Sequence, residues 1–264
     1  ELYYGASSAA PAFPFIASAA AEAATEERHV SGASEADAPA VSVPKGDFLA
    51  LYAQNSDIVG WLKAGENVDE PVVKRDNEYY MEHNFFGETD RNGTLFVNAN
   101  NEMEPRDDVL LIHGHNMKNG DMFGKLINFR QEAYMRQYPL VYFEEVYAEV
   151  ESCYVPVAAF DASMLPENRD YFDITQVVFE NDSATDGQEG GERKSADFQR
   201  YLDEIRALSY WPCPVDVSAE DDLLMLVTCS YEQEDGRFVL VLRRLREGES
   251  PEDMGRLIAG EGNE

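Results

Sequence analysis

The sequence predicts a mainly β fold, a barrel or sandwich decorated by a few helices. Three observations carry that prediction. Short β-like runs follow one another between residues 58 and 244. Turn signals such as Arg91-Asn92-Gly93, Asn119-Gly120 and Glu234-Asp235-Gly236 punctuate them. Helical spacing of apolar residues appears in only a few places. Many short strands and few helices are what a closed or doubled sheet requires.

Taken in order, residues 1–44 are rich in alanine and broken by Pro11, Pro14, Gly32 and Pro39. The stretch 17–24 allows two helical turns but offers no apolar face large enough to dock, so this region reads as a flexible spacer. The chain starts with Glu1 rather than Met, as expected of a processed or trimmed product. Asp47 can cap a short helix through Gln54, with Phe48, Leu51 and Tyr52 on one face. Strands are expected at 58–62, 71–74, 94–98, 109–113, 140–143, 147–160, 176–180, 222–229 and 237–244. Helices are expected at about 122–130, through Phe123, Leu126, Ile127 and Phe129, and at about 195–208, through Phe198, Leu202, Ile205 and Leu208. The Gly- and acid-rich stretch 182–192 reads as a surface loop. Residues 247–264, with six acids against one Arg, read as a frayed acidic tail after a folded part spanning 45–246.

The charge balance restricts function. The 264 residues carry 51 acids and 21 bases, a formal charge of −30. Such a chain does not hold nucleic acid by neutralising phosphates, nor settle on an anionic lipid surface. Hydrophobic residues at 44% and aromatics at 11% are enough for a sizeable core. Three cysteines are too few, and odd in number, for a disulfide framework. No run of eighteen apolar residues spans a membrane.

Two places carry chemistry. Leu223 to Val227 is a continuous apolar run, as in a strand buried on both faces, and it ends in Thr228-Cys229-Ser230. Arg237 opens the next apolar run. A hairpin looping through 230–236 sets Cys229 opposite Arg237 at its open end. A thiol beside a guanidinium gains thiolate character and an oxyanion partner. The plainer possibility is a small buried Cys and an Arg paired with Glu232 or Glu234. The second place is Ile112-His113-Gly114-His115-Asn116-Met117, at the end of another apolar run. Two histidines two residues apart on a strand face the same side, which suits a metal pair or one catalytic base with a structural neighbour. Zinc would need further ligands, of which Cys229 could be one, yet no CxxC or HExxH companion is present. His29 and His83 read as surface residues. Cysteine with a distant histidine suggests nucleophilic catalysis. The order His, Cys, Arg, with the Cys ending a strand, is unlike the papain arrangement.

These blocks together resemble the sortases, and most closely class B. The histidine block from Ile112 through Lys118-Asn119-Gly120-Asp121-Met122-Phe123, the cysteine block Leu226-Val227-Thr228-Cys229-Ser230-Tyr231 and the block Gly236-Arg237-Phe238-Val239-Leu240 occur in the family's order. Upstream, Asn55-Ser56-Asp57-Ile58-Val59-Gly60-Trp61-Leu62, Pro71-Val72-Val73 and Asp76-Asn77-Glu78-Tyr79-Tyr80 are also similar. The likeness spans about 47–246. Position 113 departs from it, being His where the family commonly shows an aromatic such as Tyr. The Gly–His adjacency assigns the catalytic role to His115 and leaves His113 as a packing residue.

The resemblance implies a closed barrel of about eight strands with N-terminal and connecting helices. It implies a cysteine transpeptidase: Cys229 attacks the carbonyl of a threonine in the C-terminal sorting signal of a secreted protein, His115 protonates the departing amine and Arg237 steadies the oxyanion. A thioester acyl-enzyme follows, resolved by an amino nucleophile from a peptidoglycan precursor or a pilin lysine. Thr228, Ser230 and Asn116 are expected to help bind substrate, and specificity is expected from the loops around the cleft, including 161–172 and the segment after it. No metal or other cofactor is required. The implied setting is the outer face of a Gram-positive cell membrane, where a monomeric ectodomain hangs from an N-terminal anchor absent from this chain. Cys153 and Cys213 read as small buried or half-buried residues, with a bond between them left open. Two rival readings remain: a catalytically idle adhesion module on a β-scaffold, and a zinc hydrolase built on His113 and His115.

Overall fold

The computed structural model of the chain describes residues 44–148, 150–175, 189–231 and 235–260, with only the backbone for 189–196. Its strands are β1 (Ile58–Ala64), β2 (Val68–Val73), β3 (Leu95–Val97), β4 (Val109–His113), β5 (Val141–Glu145), β6 (Ser152–Ser163), β7 (Leu223–Ser230) and β8 (Gly236–Arg244). They close into a barrel in the order β1-β2-β3-β4-β7-β8-β6-β5, with β5 paired back onto β1. Two neighbouring pairs, β2 with β3 and β4 with β7, are parallel and the others antiparallel. Closure is tight at Gly60: a Cβ there would lie 2.5 Å from the Phe143 ring and 2.7 Å from the Glu144 carbonyl, so only glycine lets β1 meet β5. The expected mainly β barrel is thus the fold observed.

The core explains the apolar runs. Leu223 to Val227 and Phe238 to Leu242 are all buried, because β7 and β8 are covered on both faces by barrel interior and surrounding helices. Helix α3 (Glu189–Leu208) lies against β6 and contributes Phe198, Tyr201, Leu202 and Ile205 to the core. Helix α2 (Glu132–Gln137) follows a 3-10 segment, Leu126–Arg130. At the N-terminal side a 3-10 turn, Gly46–Phe48, runs into α1 (Leu49–Tyr52), and Phe48 is buried where that one-sided pattern placed it.

Several expectations change. The run expected to be helical from 122 is a turn as far as Lys125: Met122 has φ 51° and bridges to Asn116, and a Cβ on Gly124 would sit 2.2 Å from the Met117 carbonyl. The strand expected at 147–160 begins only at Ser152, because the Ala148 N–H closes a turn on the Glu145 carbonyl. Helix α3 starts at Glu189, six residues before 195. The acidic stretch at the end is not frayed over 251–259. Helix α4 (Pro251–Ala259) forms there, with Ser250 accepting from the Asp253 N–H, two acids in its first turn and Gly260 in the left-handed region after it. Met254 and Ile258 are buried on its inner side, a pattern that the acid count obscures. The expected strand 176–180, residues 1–43 and 182–188 of the expected loop lie outside the described residues.

All three cysteines are free thiols, so Cys153 and Cys213 are not bonded to each other. Burial pushes the Cys153 thiol up to about 11, and the Cys213 thiol donates to the Val215 carbonyl at 2.8 Å. Both behave as small apolar residues.

Candidate active site

The topology brings the two chemical blocks to one end of the barrel. Strands β4 and β7 are parallel neighbours, with His113 paired with Val227, so their C-terminal ends emerge side by side. Strand β8 returns antiparallel to β7, and the register sets Cys229 opposite Arg237. Directly opposed residues of an antiparallel pair share a face. The loop between them is one residue shorter at each end than expected, because Ser230 and Gly236 still pair.

Side-chain hydrogen bonds lock the histidine block to the cysteine strand. Thr228 Oγ1 donates to the Gly114 carbonyl at 2.7 Å, and the Gly114 N–H donates to the Val227 carbonyl at 3.2 Å. Asn116 Nδ2 donates to the Cys229 carbonyl at 2.8 Å, while Tyr231 OH donates to the Asn116 carbonyl at 3.2 Å. Residues more than a hundred positions apart are therefore tied at both flanks of the thiol. Gly114 is needed for the fit, since a Cβ there would lie 2.4 Å from Leu95.

A cavity of about 350 Å³ opens here, lined by Cys229, Arg237, His115 and His113, with Met81, Phe96, Met164 and Ile174 among its apolar walls. Thr228 lines it too, whereas Ser230 and Asn116 do not. The Ser230 hydroxyl instead accepts from Arg130 Nη2 at 3.1 Å. Met164, Ile174 and Thr175 come from the connection after β6, in and beyond the segment expected to set specificity.

The two histidines have different environments. His113 is stacked on Phe96, with ring centroids 5.3 Å apart. The Asn98 Oδ1 accepts from the Asn100 N–H, which orients the amide so that Nδ2 donates to His113 Nε2 at 3.1 Å. That nitrogen must be unprotonated to accept. Burial, helped by the positive charge of Arg237, pushes the His113 imidazole down to about 4. His113 is a neutral packing residue near neutral pH. His115 is more exposed, and its Nε2 lies 2.7 Å from the Met81 carbonyl. The two rings thus engage separate partners, and among the described residues no three His, Cys, Asp or Glu side chains are grouped as metal ligands.

The Arg237 guanidinium hydrogen-bonds its neighbour's backbone, Nη1 donating to the Gly236 carbonyl at 3.0 Å, and among the described residues it has no carboxylate partner. The alternative partners Glu232 and Glu234 lie outside the described residues.

A half-buried brace escaped sequence reasoning. Arg130 clamps Asp161 with Nε at 2.9 Å and Nη2 at 2.8 Å, and its guanidinium also lies 5.5 Å from the Phe238 ring centroid. Tyr210 OH bonds the same carboxylate. Asp161 pairs with Phe238, next to Arg237 on β8, so the fork supports the strand end behind the cavity. The only sequence signal was a lone Arg after an apolar turn.

The chain is similar to proteins of known kind. No family model matches the chain. The sortase B of Listeria monocytogenes is 30% identical over 200 residues, covering 74% of this chain and 73% of that protein. The chain belongs to the sortase B family. Clostridium perfringens sortase B is similar in structure, with a TM-score of 0.60 and 25% identity over 75% of this chain and 98% of that one. A Staphylococcus aureus sortase B–substrate complex has the same fold, with a TM-score of 0.62 at 23% identity over 78% of this chain and 87% of that one. Family membership makes the protein a sortase-type cysteine transpeptidase. No helix among its described residues is long and apolar enough to cross a membrane.

Proposed function

We propose that Cys229, His115 and Arg237 are the catalytic residues of a transpeptidase that joins a sorting-signal peptide to an amino nucleophile. One observation carries the reading: the register that opposes Cys229 to Arg237, on a strand end pinned to the histidine block by Thr228 and Asn116, around a single apolar-walled cavity. The Cys229 thiolate adds to the carbonyl of the scissile threonine. The developing oxyanion meets the donors of Arg237, whose charge no carboxylate among the described residues neutralises. The C–N bond breaks, His115 gives its proton to the departing amine, and a thioester remains. An incoming amine attacks that thioester, yields its proton to His115 and expels the thiolate.

A sorting-signal peptide is the first substrate, a reading that the substrate complex of the Staphylococcus aureus relative supports. The amine comes from a peptidoglycan precursor or a pilin lysine, at the outer face of a Gram-positive membrane. Thr228, Ser230 and Asn116 serve this chemistry by shaping the cysteine strand. The apolar walls supplied by Met81, Phe96, Met164 and Ile174 disfavour water as the competing nucleophile.

Intact-mass measurement of the protein incubated with a library of sorting peptides tests the reading. The expected product is a peptide adduct on Cys229, discharged by added amine. Cys229→Ala should form no adduct while keeping the fold, and transfer retained in that variant would overturn the assignment. An idle adhesion module would show binding with no adduct at all.

A further inference from the structure

We propose that Gly93 is a positioning residue for His115, because its missing side chain lets the Met81 carbonyl sit where it fixes the imidazole. The catalytic consequence rests on the transpeptidase reading, but the structural content does not. The His115 Nε2 to Met81 O distance is 2.7 Å, and a carbonyl oxygen only accepts, so Nε2 carries the proton. In the neutral ring this leaves the Nδ1 lone pair as the proton-accepting atom, and in the charged ring it makes Nδ1–H the proton-giving one.

Met81 ends the short 3-10 helix Tyr79–Met81, on the excursion between β2 and β3. This excursion is held by backbone bonds to its own returning arm. The Thr94 N–H donates to the Tyr80 carbonyl at 2.9 Å, Thr94 Oγ1 donates to the His83 carbonyl at 3.0 Å, and the Asp90 N–H donates to the Glu82 carbonyl at 2.8 Å. Gly93 sits at the crossing of the two arms. Its φ is +63°, and its N–H closes the turn on the Asp90 carbonyl at 3.0 Å. A Cβ at this position would lie 2.3 Å from the Tyr80 oxygen, 3.0 Å from the Met81 oxygen and 3.2 Å from the Met81 carbonyl carbon.

All three are backbone atoms, with no flexible side-chain end to swing aside. Any L side chain at 93 therefore displaces the Tyr80–Met81 peptides, and with them the acceptor of His115. Nothing else on the described chain is hydrogen-bonded to that ring. The turn Arg91-Asn92-Gly93, read from sequence only as punctuation, in this way controls the imidazole from outside the cavity.

The test compares the full chain with its Gly93→Ala and Gly93→Asn variants, using ring-¹⁵N histidine NMR beside steady-state transfer from a sorting peptide to an amine. Asn tolerates the left-handed backbone yet carries the same Cβ, so it separates the steric push from dihedral strain and guards against a variant that fails to fold. The wild-type His115 should show the Nε2–H tautomer. Both variants should show a mixture of tautomers, with kcat reduced on the order of 10²-fold, as expected for a displacement of about 1 Å, and KM within about twofold. A folded Gly93→Asn protein that keeps the Nε2–H tautomer and wild-type kcat overturns the proposal, as does a wild-type Nδ1–H tautomer. If the tautomer shifts as expected while the wild type forms no acyl-enzyme, the positioning role stands and the transpeptidase reading falls.

Discussion

Strand β8 carries arginines near both ends, and Arg237 and Arg243 are treated in opposite ways. Arg243 is fully buried and forks onto Glu249, with Nη1 at 2.8 Å and Nη2 at 3.0 Å. Beside it, Arg246 clamps Asp221 with two bonds of 2.7 Å, so this end of the barrel is latched to the segment that leads into α4. Arg237, at the cavity end, faces no carboxylate among the described residues and bonds only the backbone of Gly236. A paired guanidinium is tied into the fold, whereas one without a carboxylate partner has donors free for an anionic centre. In a chain with a net charge of −30, a guanidinium opposite a cysteine with no carboxylate partner among the described residues is the informative contrast.

The contrast can be broken from either end. Removing the open cation should cost activity alone: Arg237→Ala is expected to lower kcat for transfer by about 10²–10³-fold or more, with an unchanged denaturant midpoint. His115→Ala should cost as much or more, and a similar loss on His113→Ala instead would exchange the two assignments. Removing the latched cation should cost stability alone. Arg243→Ala is expected to lose about 3 kcal/mol in chemical denaturation, since it empties a buried site and strands Glu249, while the remaining folded protein keeps its transfer rate. Glu249→Gln, which keeps one accepting oxygen but replaces the other with an amide NH2 that cannot accept from Arg243, should lose roughly 1–3 kcal/mol.

Acid should separate the ends more gently. The folded His113 imidazole lies near 4, below its ordinary 6.5. The unfolded chain therefore takes up the proton first, and this contribution to stability is complete above pH 6.5 and fades as pH falls toward 4. At the latch, Arg243 holds the Glu249 carboxyl below its usual range. Burial works against Asp221, but bonds from Arg246 and the Ser218 N–H outweigh it and leave that carboxyl low as well. Their contribution persists to the ordinary carboxylate range and is lost only below it. Unfolding midpoints measured from pH 7 to pH 3 should thus decline first through His113, and His113→Phe should flatten the upper part of that decline. A wild-type curve flat down to pH 4 would contradict the burial argument.

The sequence made the cavity end legible and the latch end nearly invisible, for a physical reason. Cys229 and Arg237 stand at the ends of unbroken apolar runs, and a hairpin with a short loop leaves little freedom in their register. The histidine block was equally visible, although only the parallel pairing of β4 with β7 shows that it meets the cysteine strand. Helix α4 was hidden because composition weighs every residue alike, whereas Met254 and Ile258 are buried by their positions on one side of a capped helix. The Arg130–Asp161 clamp and the Met81 carbonyl share a different obstacle. One is a pair thirty-one residues apart, and the other is a backbone atom whose importance no side chain advertises.

The parallel pairing of β4 with β7 also has a kinetic consequence. Val109 and Leu223 become neighbours across more than a hundred intervening residues. Contacts of such long sequence separation form late and slowly. Cys229 therefore meets Arg237 within the local β7–β8 hairpin, but is brought to the histidine block only when the β4–β7 seam closes.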